Sequence, residues 1–214
     1  MKQKLIALVG AVCIAFAGVQ AYAVDEYGTM SAKEKKQAQK QASKDAKKDA
    51  KENQKAGWVL NGSGSMEFAI EKHLLNTENY GGECEEKTGN AENCKSISLG
   101  KTKAFMDAVN SYAREQRMAL KAQLTGEQAD IDEDQTDNIL NEYQARVADE
   151  IKGVLKQSYI LTKKLSNGHY DIQVFYLINN KNSAHARKQA LQDAIDKSEL
   201  RQDWKDKISK SFDW

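Results

Sequence analysis

The sequence predicts an α+β fold: a small antiparallel sheet packed against two or three helices, preceded by a charged helix and followed by a long C-terminal helix. Three observations carry that expectation. Apolar residues recur at spacings of three and four through two segments between residues 102 and 155, as amphipathic helices require. The pair Asn167-Gly168 sits between two alternating segments, a strong short-range signal for a hairpin. The 214 residues include no proline, although average usage of about 5% would give roughly ten. That favours long uninterrupted helices and excludes Pro-rich linkers.

Residues 1–23 read as a signal peptide. Lys2 and Lys4 precede an apolar run from Leu5 to about Val19, and Ala21-Tyr22-Ala23 places small residues where a signal peptidase cuts. The run is short for a membrane span, which needs about 20 residues. Cys13 lacks the surroundings of a lipid-attachment site, because Gly10 and Val12 occupy the positions that matter. Removing 1–23 leaves 30 basic against 31 acidic residues, and no later segment is long and apolar enough to span a bilayer. The chain is therefore expected to be exported. Near-neutral charge argues against a nucleic-acid binder.

Residues 24–56 form a Lys/Ala-rich stretch. Ser31-Ala32-Lys33-Glu34 matches a capping box, and Ala38, Ala42, Ala46 and Ala50 recur every four residues among nine lysines. The segment reads as a solvated helix or linker; the alternatives are a face for anionic lipid or a partner, and self-assembly through the alanine stripe. Residues 57–214 then form one α+β domain. Asn61-Gly62-Ser63-Gly64-Ser65 is a turn without the Lys-Ser/Thr ending of a phosphate loop, so no nucleotide cofactor is expected. Ser65 caps a short helix through Leu75. Asn76 to Lys95 reads as a loop whose Cys84 and Cys94 pair in a disulfide, the usual fate of an even cysteine pair in an exported protein. Ser96 to Gly100 alternates like a short strand.

Two helices follow, the first capped by Thr102 and the second starting near Asp134–Asp137. Asp130-Ile131-Asp132-Glu133-Asp134 begins like a calcium loop, but Asn141 stands where a bidentate Glu belongs, so no metal is expected. The hairpin spans about 158–178. With a two-residue type I′ turn at Asn167-Gly168, opposing residues sum to 335. Tyr159, Leu161 and Leu165 then share a buried face with Tyr170, Ile172, Val174 and Tyr176. The other face is wetter, and its Thr162, Lys164, Asp171, Gln173 and Phe175 form the candidate binding face. A last helix runs from about Ser183 to Phe212.

The order of these elements resembles the domain of envelope-associated lipoproteins of the LPP type, found also at the N-terminal end of a flagellar-assembly periplasmic protein. The matching residues are Ser98-Leu99-Gly100, Ala104, Ala108, Ala113-Arg114, Ser158-Tyr159-Ile160 and Tyr170 to Val174. Lys47-Lys48-Asp49-Ala50 leading into Gly57-Trp58 is similar to uncharacterised exported proteins of Gram-negative gut anaerobes. The resemblance covers about 57–200 and implies a small α+β envelope domain with no catalytic residues. The lipid-attachment cysteine of those lipoproteins has no convincing counterpart, and loop 81–95 looks like an addition. His73, His169 and His185 belong to no hydrolase or metal motif, so a hydrolase is the remote alternative. The expected function is a non-enzymatic envelope protein that binds an unidentified protein, glycan or lipid surface.

Overall fold

The computed structural model describes residues 31–127, 133–198 and 205. The expected signal peptide lies outside them. So do Asp130 to Asp132 of the acidic run, and Leu200, Trp204, Ile208 and Phe212 of the expected last helix.

The expected α+β class holds. The helix α1 (Ala32–Lys55) begins with the expected capping box, in which the Ser31 hydroxyl accepts from the Glu34 amide and the Glu34 carboxylate accepts from the Ser31 amide at 2.8 Å. It ends in a Schellman motif. Gly57, at φ +87°, donates to the Gln54 carbonyl, and Trp58 donates to that of Asn53. The reversal delivers β1 (Val59–Leu60) antiparallel onto β3 (Lys156–Lys164), with Leu60 opposite Leu161. Next comes α2 (Met66–Leu74), where the Ser65 hydroxyl accepts from the Phe68 amide at 3.1 Å, as the sequence predicts.

The expected loop 76–95 is instead largely strand. A short 3-10 turn (Glu78–Tyr80) leads into β2 (Cys84–Cys94), which pairs along its length with β4 (Tyr170–Asn179). The sheet is antiparallel throughout, in the order β1-β3-β4-β2. The cysteines end opposite tips of an eleven-residue strand. At about 3.3 Å per residue they are some 30 Å apart, far beyond disulfide reach, and both are free thiols. The disulfide expectation therefore fails.

The expected strand at 96–100 also fails, because these residues form the first turn of α3 (Ile97–Glu127). The Ser96 hydroxyl accepts from the Leu99 amide at 3.2 Å, so Ser96 caps the helix, and Thr102 lies inside it with its hydroxyl on the Ser98 carbonyl. The helix α4 (Glu133–Ile151) follows the expected course. After β3 and β4 the helix α5 (Asn180–Lys197) begins directly from the sheet, with the Asn179 side chain accepting from the Asn182 amide.

The hairpin is present with a different turn. Leu165 donates to His169 at 2.8 Å and Gly168 donates to Leu165, leaving Ser166-Asn167-Gly168 as a three-residue loop. Only Gly168 has positive φ, at +83°, as in a type I turn closed by a left-handed residue. Opposing residues sum to 334, so Lys164 faces Tyr170 rather than Asp171, and Thr162 faces Ile172 rather than Gln173. A one-residue slip turns one strand over relative to the other.

The slip matters because both faces of the sheet are covered. Ile160, Ile172, Val174 and Tyr176 pack with Ala104 and Ala108 of α3. Tyr159, Leu161 and the half-buried Phe175 pack with Ala46 and Ala50 of α1 and Met66 and Ile70 of α2. The alanine stripe expected to be solvated or to bind a second copy is thus consumed within the chain, with Ala42 and Ala46 fully buried. A third cluster joins α3, α4 and α5 through Tyr112, Leu140, Tyr143, Val147, Ile151 and Leu191. Each large side chain buried there contributes ~1.5–3 kcal/mol.

Candidate functional site

The five residues of the expected binding face do not share one face. Thr162 is buried on the α3 side, and Lys164 lies on that side too, exposed at the strand end. Asp171, Gln173 and Phe175 alternate onto the opposite side. The Asp171 carboxylate is occupied, accepting from the Asn93 amide at 2.9 Å. Of the five, Phe175 lines a cleft of about 260 Å3 between α1, α2 and the sheet.

Five elements build that cleft. On α1, Asp49, Glu52 and Asn53 follow one another at helical spacing along the flank of the alanine stripe. On α2, Ile70 and Leu74 supply an apolar wall. On β2, Glu86 stands opposite Leu177, and on β3 and β4 the cross-strand pair Tyr159 and Phe175 stacks at 4.2 Å with rings 7° from parallel. The result is a stacked aromatic pair beside three carboxylates, with no cationic side chain in the lining.

Behind the aromatic pair lies His73. It is 1% exposed, the price of sharing the inner face of α2 with Met66 and Ile70. Its Nε2 meets the Glu86 carboxylate, and its ring stands edge-on to Tyr159 at 5.2 Å and to Phe175 at 6.0 Å. Its Nδ1 is buried without a hydrogen-bond partner among the described residues. A buried orphan of this kind costs ~1–3 kcal/mol.

The charges feel one another. Burial, and after it the Glu52 charge, hold the Asp49 carboxyl above its ordinary value. Beside the cleft, Tyr80 donates to Asp45 at 2.8 Å. Burial, that bond, and the negative field of Asp45, Asp49 and Glu86 push the phenol up to about 12. The hydrogen bond from Tyr80, with a second from Gln41, keeps Asp45 below its ordinary value. Burial, and after it the Glu86 and Asp49 charges, also raise Tyr159 strongly. No group of three or more His, Cys, Asp or Glu side chains converges on a metal position among the described residues. The negative charge is spread along a wall and does not gather at a point.

The outer side of α1 is the opposite in sign. At 100° per residue, Lys33, Lys36, Lys40, Lys44, Lys47, Lys48, Lys51 and Lys55 fall within roughly a third of the helix circumference, away from the buried alanines. All eight are exposed, and none forms an ion pair among the described residues. The four acids of α1 lie outside this arc, beside the alanine stripe.

A second concavity of about 330 Å3 opens between α4 and α5, but its charged walls satisfy each other, Lys197 donating to Glu142 at 3.0 Å. His169 bonds the Asn93 side chain at the hairpin turn, and His185 is exposed on α5. No Ser or Cys lines the cleft beside His73 and Glu86.

No family model, curated protein or solved structure matches this chain.

The cleft was hard to find in the sequence because its residues are scattered from Asp49 to Phe175. The one available signal was His73 at spacings of seven and three from Met66 and Ile70, a polar residue on an apolar stripe.

Proposed function

We propose that this chain is an exported, non-catalytic protein of a Gram-negative cell envelope, built on an LPP-type domain, and that it acts by binding a small organic cation in the cleft between α1, α2 and the sheet. One observation carries the ligand class: three carboxylates stand beside a stacked aromatic pair with no lysine or arginine in the lining. A protonated amine with an apolar body satisfies both, through charge-assisted hydrogen bonds to the carboxylates and contact with the ring faces. A bare metal ion fits less well, since the carboxylates do not converge. Export is supported by the residues at 1–23, with Ala21-Tyr22-Ala23 as the cleavage site.

Calorimetric titration with 1,4-diaminobutane and with tetramethylammonium tests the binding reading. Saturable binding of either is expected, weakened at least tenfold by Asp49→Asn with Glu52→Gln. Absence of heat for both at millimolar concentration, or binding that the double variant leaves unchanged, overturns it. N-terminal sequencing of the protein from a periplasmic fraction tests export independently, and Val24 is the expected first residue.

A further inference from the structure

From the lysine ridge of α1 we infer a second, separate interaction: the helix lies along the surface of an anionic phospholipid bilayer. The ridge runs from Lys33 to Lys55, about 33 Å at 1.5 Å per residue, and all of its lysines are exposed. Its neighbours on the same arc are Gln37 and Gln54, so no carboxylate interrupts the positive stripe. The alanine face fixes its direction. With Ala46 and Ala50 buried against α2 and the sheet, and Ala42 buried on the same stripe, the helix cannot roll, and the exposed lysines face away from that contact.

The chemistry of the stripe selects the partner. Lysine offers a compact, hydrated point charge on a flexible stem, suited to a diffuse array of phosphates, whereas bidentate recognition of a single phosphate or base edge falls to arginine. The described part of α1 carries no arginine and no aromatic side chain, so it offers neither a fork for base edges nor a platform for stacked bases. It carries no large apolar side chain on the ridge either, so it would rest at the headgroup level without inserting. A planar anionic surface meets all eight lysines at once, and each charge near such a surface adds to the attraction. The contact is electrostatic and therefore sensitive to salt. This inference does not rest on the cleft, which opens on the acidic flank of the same helix.

Co-sedimentation of the mature chain, beginning at Val24, with vesicles tests it. Vesicles of 30% phosphatidylglycerol in phosphatidylcholine should retain the protein at low salt and release it at 500 mM sodium chloride, while pure phosphatidylcholine should not retain it. The quadruple variant Lys40→Gln, Lys44→Gln, Lys47→Gln, Lys51→Gln should lose at least tenfold in partition with an unchanged melting temperature. Replacing Lys95, Lys103, Lys164 and Lys188, exposed lysines elsewhere, should leave partition as it was. Equal binding to both vesicle types, or equal loss from the two quadruple variants, overturns the inference. Retention on a DNA duplex or heparin without retention on anionic vesicles overturns it as well, in favour of a soluble polyanion.

Discussion

The side of the sheet that faces α3 is closed at backbone distance, while the side that faces α1 and α2 is closed by side chains and left partly open. Against α3, a Cβ on Gly89 would stand 1.8 Å from the Ala104 carbonyl oxygen, and one on Gly100 would stand 1.9 Å from the Ile172 side chain. At Gly89 nothing larger than hydrogen fits against the Ala104 backbone, whereas at Gly100 the end of the Ile172 side chain would have to move. Against α1, alanines meet aromatic rings and a methionine, a buried histidine keeps an unsatisfied nitrogen, and a cleft remains. The first arrangement specifies one packing; the second leaves room for a ligand. Tight packing and a usable concavity are divided between the two faces of one four-stranded sheet.

Substitutions on the two sides should separate these roles. Gly89→Val should have the largest effect, a loss of at least ~3 kcal/mol or failure to fold, because neither backbone can retreat. Chemical denaturation measures it, with Gly62→Ala as a control of under ~0.5 kcal/mol, since open space surrounds Gly62. On the other side Ala46→Leu should cost ~1–3 kcal/mol, because the neighbouring side chains can shift toward the cleft. A cost as large as that of Gly89→Val would show that the two sides are equally rigid and remove the distinction.

The smallest effect concerns pH. The folded protein holds the Asp49 carboxyl above its unfolded value, so its protonated form is the one that the fold favours. That contribution is fully present below the unfolded value near 4 and is lost as pH rises through the folded value. Asp49→Asn should flatten this part of the stability profile and raise the melting temperature slightly at pH 7. A lower melting temperature for the variant would mean that ionised Asp49 stabilises the fold.

Much of this architecture was legible from periodicity. The capping box at Ser31, the cap at Ser65, the stripes of α3 and α4, and the existence of the hairpin all rest on local chemistry that tertiary structure left in place. β2 was not legible, and the close approach of α3 explains why. Its inward positions are Gly89, Ala91 and Cys94, small residues that give no alternating apolar signal. Ser96 to Gly100 misled for the converse reason: alternation over five residues suits a strand as well as a capped first helical turn. The hairpin register turned on the αL geometry of a single glycine, and with it the make-up of the expected binding face. The cleft required the tertiary structure, because no single segment holds more than three of its residues.

The glycine contacts on the α3 side also bear on descent. Along α3, Gly100, Ala104 and Ala108 repeat every four residues, and Gly89 and Ala91 face them from β2. A chain derived from the same ancestor must keep small residues at these five positions or lift α3 off the sheet. Hydrophobic positions can drift among leucine, isoleucine and valine until nothing recognisable remains, but a place with room only for hydrogen has no synonyms. The spacing Gly-x-Ala, then nine residues on, Gly-x-x-x-Ala-x-x-x-Ala, is therefore a compact signature by which distant kin of this protein could be traced.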